Sequence, residues 1–141
     1  MEKIHRAFCA RGINIMYKQK IEKEIRCPVE YGLSIISGKW KIRILSILKT
    51  YGTVRYKVLM QKLNGITDTV LALTLKELAN DDLIIRNQYE EIPPKVEYML
   101  SDKAISLMPI LESICRWSCR FDTSYSDHVM EQCRGCEHFN Y

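Results

Sequence analysis

Cysteine and histidine side chains cluster near the end of the chain. Cys133 and Cys136 form a Cys-x-x-Cys pair, and His128 and His138 lie on either side of it, which makes four candidate metal ligands. Thiolate and imidazole ligands suit tetrahedral zinc, but the second pair of a standard zinc-site spacing is missing. A zinc site therefore competes here with two other interpretations, a reversible redox pair and a disordered tail.

Cys27 lies directly before Pro28, and this dipeptide predicts the start of a helix because proline suits the first helical turn. The positive end of the helix dipole favours a thiolate at that position, and Arg26 acts in the same direction. Cys27 is therefore a candidate sensor of oxidants or electrophiles. The alternative is a thiol that is buried for packing.

Cys115 and Cys119 are spaced i, i+4 on a predicted helix and are most simply core or interface residues. They would also meet their counterparts in a second copy if that helix pairs near a two-fold axis. Nothing in the spacing of these groups organises a nucleophile with a base, so we do not expect an enzyme. No cofactor is expected apart from the zinc alternative.

Basic residues are distributed unevenly along the chain, although the net charge of +4 is modest. No acidic residue lies between Glu30 and Asp68, and from Asp68 onward 13 acids face 7 bases. The acid-free run contains Lys39, Lys41, Arg43, Lys49, Arg55, Lys57 and Lys62. Such a run suggests an electrostatic footprint for nucleic-acid phosphates. An ordinary solvated basic face explains it equally well.

The elements that would position these side chains follow a recognisable order. Apolar spacing predicts a helix over Tyr56–Leu63, a turn at Asn64–Ile66 and a second helix that begins at Thr67. Two strands, Leu83–Tyr89 and Val96–Leu100, then form a hairpin. A helix-turn-helix followed by a hairpin is the plan of a winged DNA-binding domain.

The second helix has two unlike faces. Leu71, Leu75 and Leu78 should face the core, with Thr67 as the N-cap. The opposite face carries Thr69, Ala72, Leu73 and Lys76, and it would meet the major groove. Because this face is poor in Arg, Asn and Gln, we expect modest direct base reading and a larger share of phosphate contacts and shape readout.

The hairpin adds a second candidate contact with DNA. Lys95 follows two prolines that stiffen the connection, and Arg86 is a further candidate contact on the first strand. Glu90 and Glu91 oppose a phosphate role for the whole loop. The predicted DNA contacts are Lys39, Arg55, Lys57, Thr67, Thr69, Leu73, Lys76, Arg86 and Lys95.

The fold class that follows is α+β and predominantly helical, with helices that flank a winged helix-turn-helix. Residues 1–26 should form a helical arm with dimer contacts, and residues 27–100 the DNA-binding domain. Residues 101–122 should form a dimerisation helix that Pro109 kinks or whose start it shifts, and residues 123–141 the tail with the Cys and His residues. The first 26 residues lack the features of an export signal, and no apolar run is long enough to span a membrane. We therefore expect a cytoplasmic protein.

Several motifs in order resemble those of the HxlR-type winged-helix transcriptional regulators, which are related to the MarR regulators. They are Cys27–Tyr31 (CPVEY), Gly38–Lys41 (GKWK), Arg55–Tyr56 (RY), Gly65–Thr67 (GIT), Leu75–Leu78 (LKEL) and Ile92–Tyr98 (IPPKVEY). The resemblance covers roughly Cys27 to Phe121. It implies a prokaryotic homodimer that binds an inverted-repeat operator in double-stranded DNA.

The resemblance also implies a role for Cys27, because the cysteine before Pro-Val is the reactive one in redox- and electrophile-sensing members. The chain departs from the family pattern at Thr69 and Leu73, where members often carry Lys and Gln, so the family's base contacts do not transfer. The usual Asp-Gly before the wing is Asp81-Asp82, and a usual glycine is Ala104.

The sequence thus predicts a dimeric, sequence-specific DNA-binding regulator of the HxlR type, controlled by modification of a cysteine. Two alternatives stay open. The winged helix could bind another protein through its recognition face, with Leu73 as a contact, or the tail could make the protein a metal-responsive regulator.

Overall fold

The computed structural model describes residues 27–121, and the predicted arm and tail lie outside the described residues. The chain divides into two compact units, residues 1–36 and residues 37–141. The elements are α1 (Pro28–Ile36), α2 (Lys41–Tyr51), β1 (Val54–Arg55), α3 (Tyr56–Lys62), α4 (Asp68–Asn80), β2 (Ile84–Tyr89), β3 (Lys95–Leu100) and α5 (Asp102–Cys119). This is the predicted winged helix-turn-helix with a further helix.

Helix α1 is the described element of the first unit, and it begins at Pro28 as predicted. Its apolar side chains do not share one environment. Ile35 and Ile36 are buried, whereas Val29 and Leu33 are exposed.

The core of the second unit is built around α2, whose Ile44, Leu45, Ile47 and Leu48 are almost fully buried. The helix ends at Gly52, which has a φ of 72° and donates its N–H to the Leu48 carbonyl at 2.9 Å. Glycine is common where the chain leaves a helix at a positive φ because it lacks a Cβ. The sequence pattern therefore fixes both the face and the end of α2.

Helix α4 carries the predicted N-cap and core face. The Thr67 hydroxyl accepts the Val70 N–H at 3.3 Å, and Leu71, Leu75 and Leu78 are buried. At the C-terminal end, the Leu83 N–H donates to the Leu78 carbonyl at 2.9 Å. The Asp82 N–H donates to the Ala79 carbonyl at 3.1 Å. This pair of bonds is a Schellman motif. The Asp-Asp departure from the family pattern thus lies in this C-terminal turn.

The sheet has the strand order β1-β3-β2, and both pairings are antiparallel. Val54 lies opposite Tyr98, and Ile84 lies opposite Leu100. Val54, Tyr98 and Ile84 are buried on one face, which places that face against the helices. The short strand β1 pairs with β3 and adds a third strand to the hairpin.

Helix α5 begins where predicted, because the Ser101 hydroxyl accepts the Ala104 N–H at 3.1 Å. The same hydroxyl donates to the Asp82 carbonyl at 2.6 Å, which ties the start of α5 to the end of α4. Pro109 lies inside the helix and does not shift its start. Among the described residues, no helix is long and apolar enough to cross a membrane.

Candidate DNA-binding surface

The outward face of α4 presents the residues that the sequence assigned to the major groove. Thr69, Ala72 and Lys76 are exposed, and Leu73 is 56% exposed. The buried leucines of the same helix occupy the other side, so the helix is anchored by one face and offers the other to solvent. An exposed leucine on such a face can contact a thymine methyl group, and a threonine hydroxyl can bond a base edge or a phosphate.

The start of α4 is held by a contact that the sequence did not reveal. The Tyr56 hydroxyl donates to Asp68 Oδ1 at 2.8 Å and lies 3.0 Å from the Asp68 carbonyl oxygen. Burial and the Asp68 carboxylate together raise the pKa of Tyr56 to about 12. Tyr56, the first residue of α3, thereby stabilises the position of the first turn of α4. Twelve residues separate the two side chains, so no local pattern indicates the pair.

The far end of α4 is held by Lys41, which belongs to the acid-free run. Its ammonium group lies 3.1 Å from a Glu77 carboxylate oxygen and 3.6 Å from one of Asp81, and its side chain is only 11% exposed. Burial raises the pKa of Asp81, the nearby ammonium of Lys103 opposes that rise, and Asp82 reinforces it. Lys41 therefore anchors the recognition helix and does not present its charge to phosphates.

The root of the wing brings two predicted DNA contacts to one carboxylate. Lys95 Nζ lies 2.9 Å from Glu97 Oε1, and Arg55 Nε lies 3.8 Å from the same oxygen. The Lys95 hydrogen bond is the main cause that lowers the pKa of Glu97, and the same bond raises the pKa of Lys95. Lys95 Nζ also lies 4.7 Å from the centre of the Tyr89 ring. We define Arg55, Tyr89, Lys95 and Glu97 as the wing-root cluster.

The remaining predicted contacts lie on exposed surface. Lys39 stacks over the Trp40 ring at 4.6 Å, and Lys57 is exposed in the first turn of α3. Arg86 is exposed on β2 and donates to the Gln88 side-chain oxygen at 3.0 Å. At the tip of the wing, Ile92 is fully exposed. The structure thus keeps these cations accessible.

A second exposed surface runs along α5 and the turn that follows it, where Phe121 lies. Ile110, Ile114, Trp117 and Phe121 are each between 45% and 75% exposed and follow a 4-3-4 spacing. The Trp117 and Phe121 rings lie 5.4 Å apart, which makes the end of this stripe continuous. We call these four residues the α5 stripe. This spacing is the one by which two helices pack against each other along a narrow seam.

The structure separates the cysteine hypotheses. Cys27 is an exposed free thiol, which disagrees with the alternative of a buried packing residue. Cys115 is exposed and Cys119 is half-buried on α5. Within residues 27–121, no group of three or more His, Cys, Asp or Glu side chains could hold a metal ion. The proposed ligands His128, Cys133, Cys136 and His138 lie outside the described residues.

Comparisons with known proteins give the same architecture. The family model described as HxlR-like helix-turn-helix matches residues 35–125. The uncharacterised HTH-type transcriptional regulator BH0655 of Halalkalibacterium halodurans is 45% identical over 101 residues, which are 72% of this chain and 89% of that protein.

Two solved structures add a comparison in three dimensions. The redox regulator HypR in its oxidised form has a TM-score of 0.62 and 34% identity, and the match covers 68% of this chain and 98% of that one. The reduced form of the transcriptional regulator YodB from B. subtilis also has a TM-score of 0.62, with 28% identity over 69% of this chain and 95% of that one.

Proposed function

This chain belongs to the HxlR-like helix-turn-helix family of transcriptional regulators, and from that premise we propose that it binds an inverted-repeat operator as a cytoplasmic homodimer without catalysing a reaction. The observation that carries the proposal is the exposed face of α4, which stands opposite its buried leucines. In the complex this face lies in the major groove. Leu73 contacts a thymine methyl, Thr69 a base edge or phosphate, and Lys76 a phosphate.

Other predicted contacts complete the interface with the DNA backbone. Lys57 and Thr67 bind phosphates beside the recognition helix, and Lys39 adds charge from the loop before α2. Arg86 and the wing-root cations Arg55 and Lys95 act on the backbone or groove next to it. Because such contacts carry no sequence information, they set affinity and register, and α4 sets the modest sequence preference.

The α5 stripe supports the homodimer. Four large apolar side chains at a coiled-coil spacing are exposed in the single chain, and pairing with the same helix of a second copy would bury them. Two recognition helices related by a two-fold axis then match an inverted repeat. Sedimentation should give a dimer for the wild type and a monomer for Trp117→Asp. A wild-type monomer at micromolar concentration would exclude this arrangement.

The exposure of Cys27 supports control by thiol chemistry, and two similar structures are of a redox regulator and of a regulator solved in its reduced form. Treatment with an oxidant or an electrophile should change operator affinity in the wild type. Cys27→Ser should abolish that change, and Cys115→Ser serves as the matched control because Cys115 is also exposed. A persistent response in the Cys27→Ser variant would reject Cys27 as the sensor.

Fluorescence anisotropy with the DNA upstream of the protein's own gene tests the DNA-binding proposal. Leu73→Ala should reduce the preference for this DNA over a scrambled duplex. Ile42→Ala should leave the preference unchanged, because Ile42 is a similarly exposed apolar residue on α2. Wild-type binding without sequence preference and without salt dependence would contradict the proposal.

Two alternative functions have distinct tests. The apolar character of the α4 face, where Val70 and Leu73 are both exposed, also suits contact with a protein, and this function would survive the loss of DNA binding. A metal-responsive regulator requires zinc in protein purified without chelators and its loss in Cys136→Ser. Absence of zinc from such a preparation would remove that alternative.

A further inference from the structure

The wing-root cluster places one carboxylate between two cations that the proposed function assigns to DNA. Arg55 lies directly opposite Glu97 in the pairing of β1 with β3, and Lys95 lies two residues before Glu97 on the same face of β3. Tyr89 lies opposite Lys95 in the pairing of β2 with β3. The register of the three strands therefore fixes this arrangement.

The Glu97 carboxylate occupies the position that a phosphate oxygen would take. Its Oε1 atom lies 2.9 Å from Lys95 Nζ, the distance of a charge-assisted hydrogen bond to an oxyanion. The same oxygen lies 3.8 Å from Arg55 Nε, which makes a longer ion pair. Lys95, Tyr89 and Arg55 lower the pKa of the Glu97 carboxyl, and the hydrogen bond from Lys95 contributes most. Glu97 is therefore ionised at neutral pH, and the two cations and one anion of the cluster have a net charge of +1.

The cluster remains accessible to an incoming phosphate. The Arg55 side chain is 62% exposed and that of Lys95 is 25% exposed, whereas that of Glu97 is only 16% exposed. A phosphate can thus reach the cations from solvent, but it meets a carboxylate that is already bonded to them. The carboxylate both competes for the cations and repels the phosphate.

We propose that Glu97 acts as an intramolecular competitor of the DNA backbone and thereby limits the affinity of the wing for DNA of any sequence. The inference rests on the proposed DNA binding. If Glu97 instead positioned the two cations for DNA, its loss would weaken binding. In the role proposed here, its loss strengthens binding. Because phosphate contacts are independent of sequence, Glu97 should weaken binding to operator DNA and to scrambled DNA by the same factor.

Glu97→Gln tests this role, because the amide keeps the size of the side chain and an acceptor oxygen for Lys95 but removes the negative charge. Binding to operator and to scrambled duplexes should become about threefold tighter at low salt, as one charge at the DNA surface implies. One further phosphate per wing should be neutralised, which steepens the plot of log affinity against log salt by about 0.9. Glu90→Gln makes the same charge change at an exposed wing residue outside the cluster. It should tighten binding less than Glu97→Gln and leave the slope unchanged, because it releases neither cation of the cluster.

Lys95→Met, made in the wild type and in Glu97→Gln, provides a second measurement. Its wild-type arm does not depend on the folding of the Glu97→Gln variant. Because the Lys95 ammonium is already paired with Glu97, Lys95→Met in the wild type should weaken DNA binding less than about twofold. In the Glu97→Gln background the same change should remove most of the gained affinity. A larger loss in the wild type, or an equal loss in both backgrounds, would overturn the inference.

The outcomes separate this inference from the proposed function. Circular dichroism first establishes that Glu97→Gln is folded. If the wild type binds operator DNA and the folded variant binds it equally or more weakly, only the role of Glu97 is rejected. If the wild type binds no DNA, the proposed function fails and the role of Glu97 fails with it.

Discussion

The turn between the recognition helix and the wing contains a strained residue whose replacement should stabilise the protein. Asp82 has a φ of 54°, in the left-handed region that suits glycine. Its N–H bonds to the Ala79 carbonyl at 3.1 Å, and its own carbonyl accepts the Ser101 hydroxyl at 2.6 Å. These bonds use only the backbone of Asp82, so Asp82→Gly keeps both and removes the Cβ.

The magnitude follows from two opposing terms. A left-handed conformation costs an L-residue roughly 1–2 kcal/mol, with aspartate near the lower end because it tolerates this region better than most residues. Glycine offsets part of this stabilisation, by roughly 0.5–1 kcal/mol, because the unfolded chain loses more conformational entropy on folding at a glycine. Asp82→Gly should therefore raise the free energy of unfolding by about 0.5 kcal/mol, or the melting temperature by about 2 °C.

Alanine at the same position isolates the backbone effect. Asp82→Ala removes the same carboxylate as Asp82→Gly, and with it the same repulsion of Asp81, but it retains a Cβ. It should be less stable than the glycine variant by about 1 kcal/mol in urea denaturation. Equal stability of the two variants would refute the claim that the left-handed backbone is strained.

Three further predictions concern the recognition helix and its supports. Tyr56→Phe should cost about 1 kcal/mol at neutral pH. Because the folded pKa of Tyr56 is raised, the wild-type advantage should be constant below pH 10 and fall as the pH approaches 12, which unfolding curves across this range would show. Lys41→Met should destabilise by about 1.5 kcal/mol in chemical denaturation, since it leaves two carboxylates without their ammonium partner. Leu75→Ala should cost about 3 kcal/mol by calorimetry, whereas Leu73→Ala should change stability by less than about 0.5 kcal/mol.

Local patterns in the sequence predicted the parts of the fold that depend on near neighbours. The i, i+4, i+7 spacing of the α4 leucines placed their face in the core, and the hydroxyls of Thr67 and Ser101 cap the helices that they precede. Each of these signals acts within about four residues. The exposed face of α4 then follows by elimination, which is why most of the candidate site was also predictable.

The contacts that hold the site depend on long-range packing and were not predictable. The partners Tyr56 and Asp68 are 12 residues apart, and Arg55 meets Glu97 only because β1 pairs with β3. The left-handed conformation of Asp82 was likewise hidden, because the sequence there lacks the glycine that usually indicates it. A single sequence records residue types but not which distant charges fold together.

Several cations of the acid-free run form ion pairs that the sequence did not predict. Three of the seven cations in the acid-free run pair with acids from beyond Asp68: Lys41 with Glu77 and Asp81, Lys49 with Glu112, and Arg55 with Glu97. These three ion pairs within residues 27–121 reduce the positive charge that the run presents to phosphates. Since each neutralised phosphate adds about 0.9 to the salt dependence, the backbone affinity should be lower than the sequence suggests. If the proposed operator binding holds, we expect it to rely more on the apolar and hydroxyl contacts of α4.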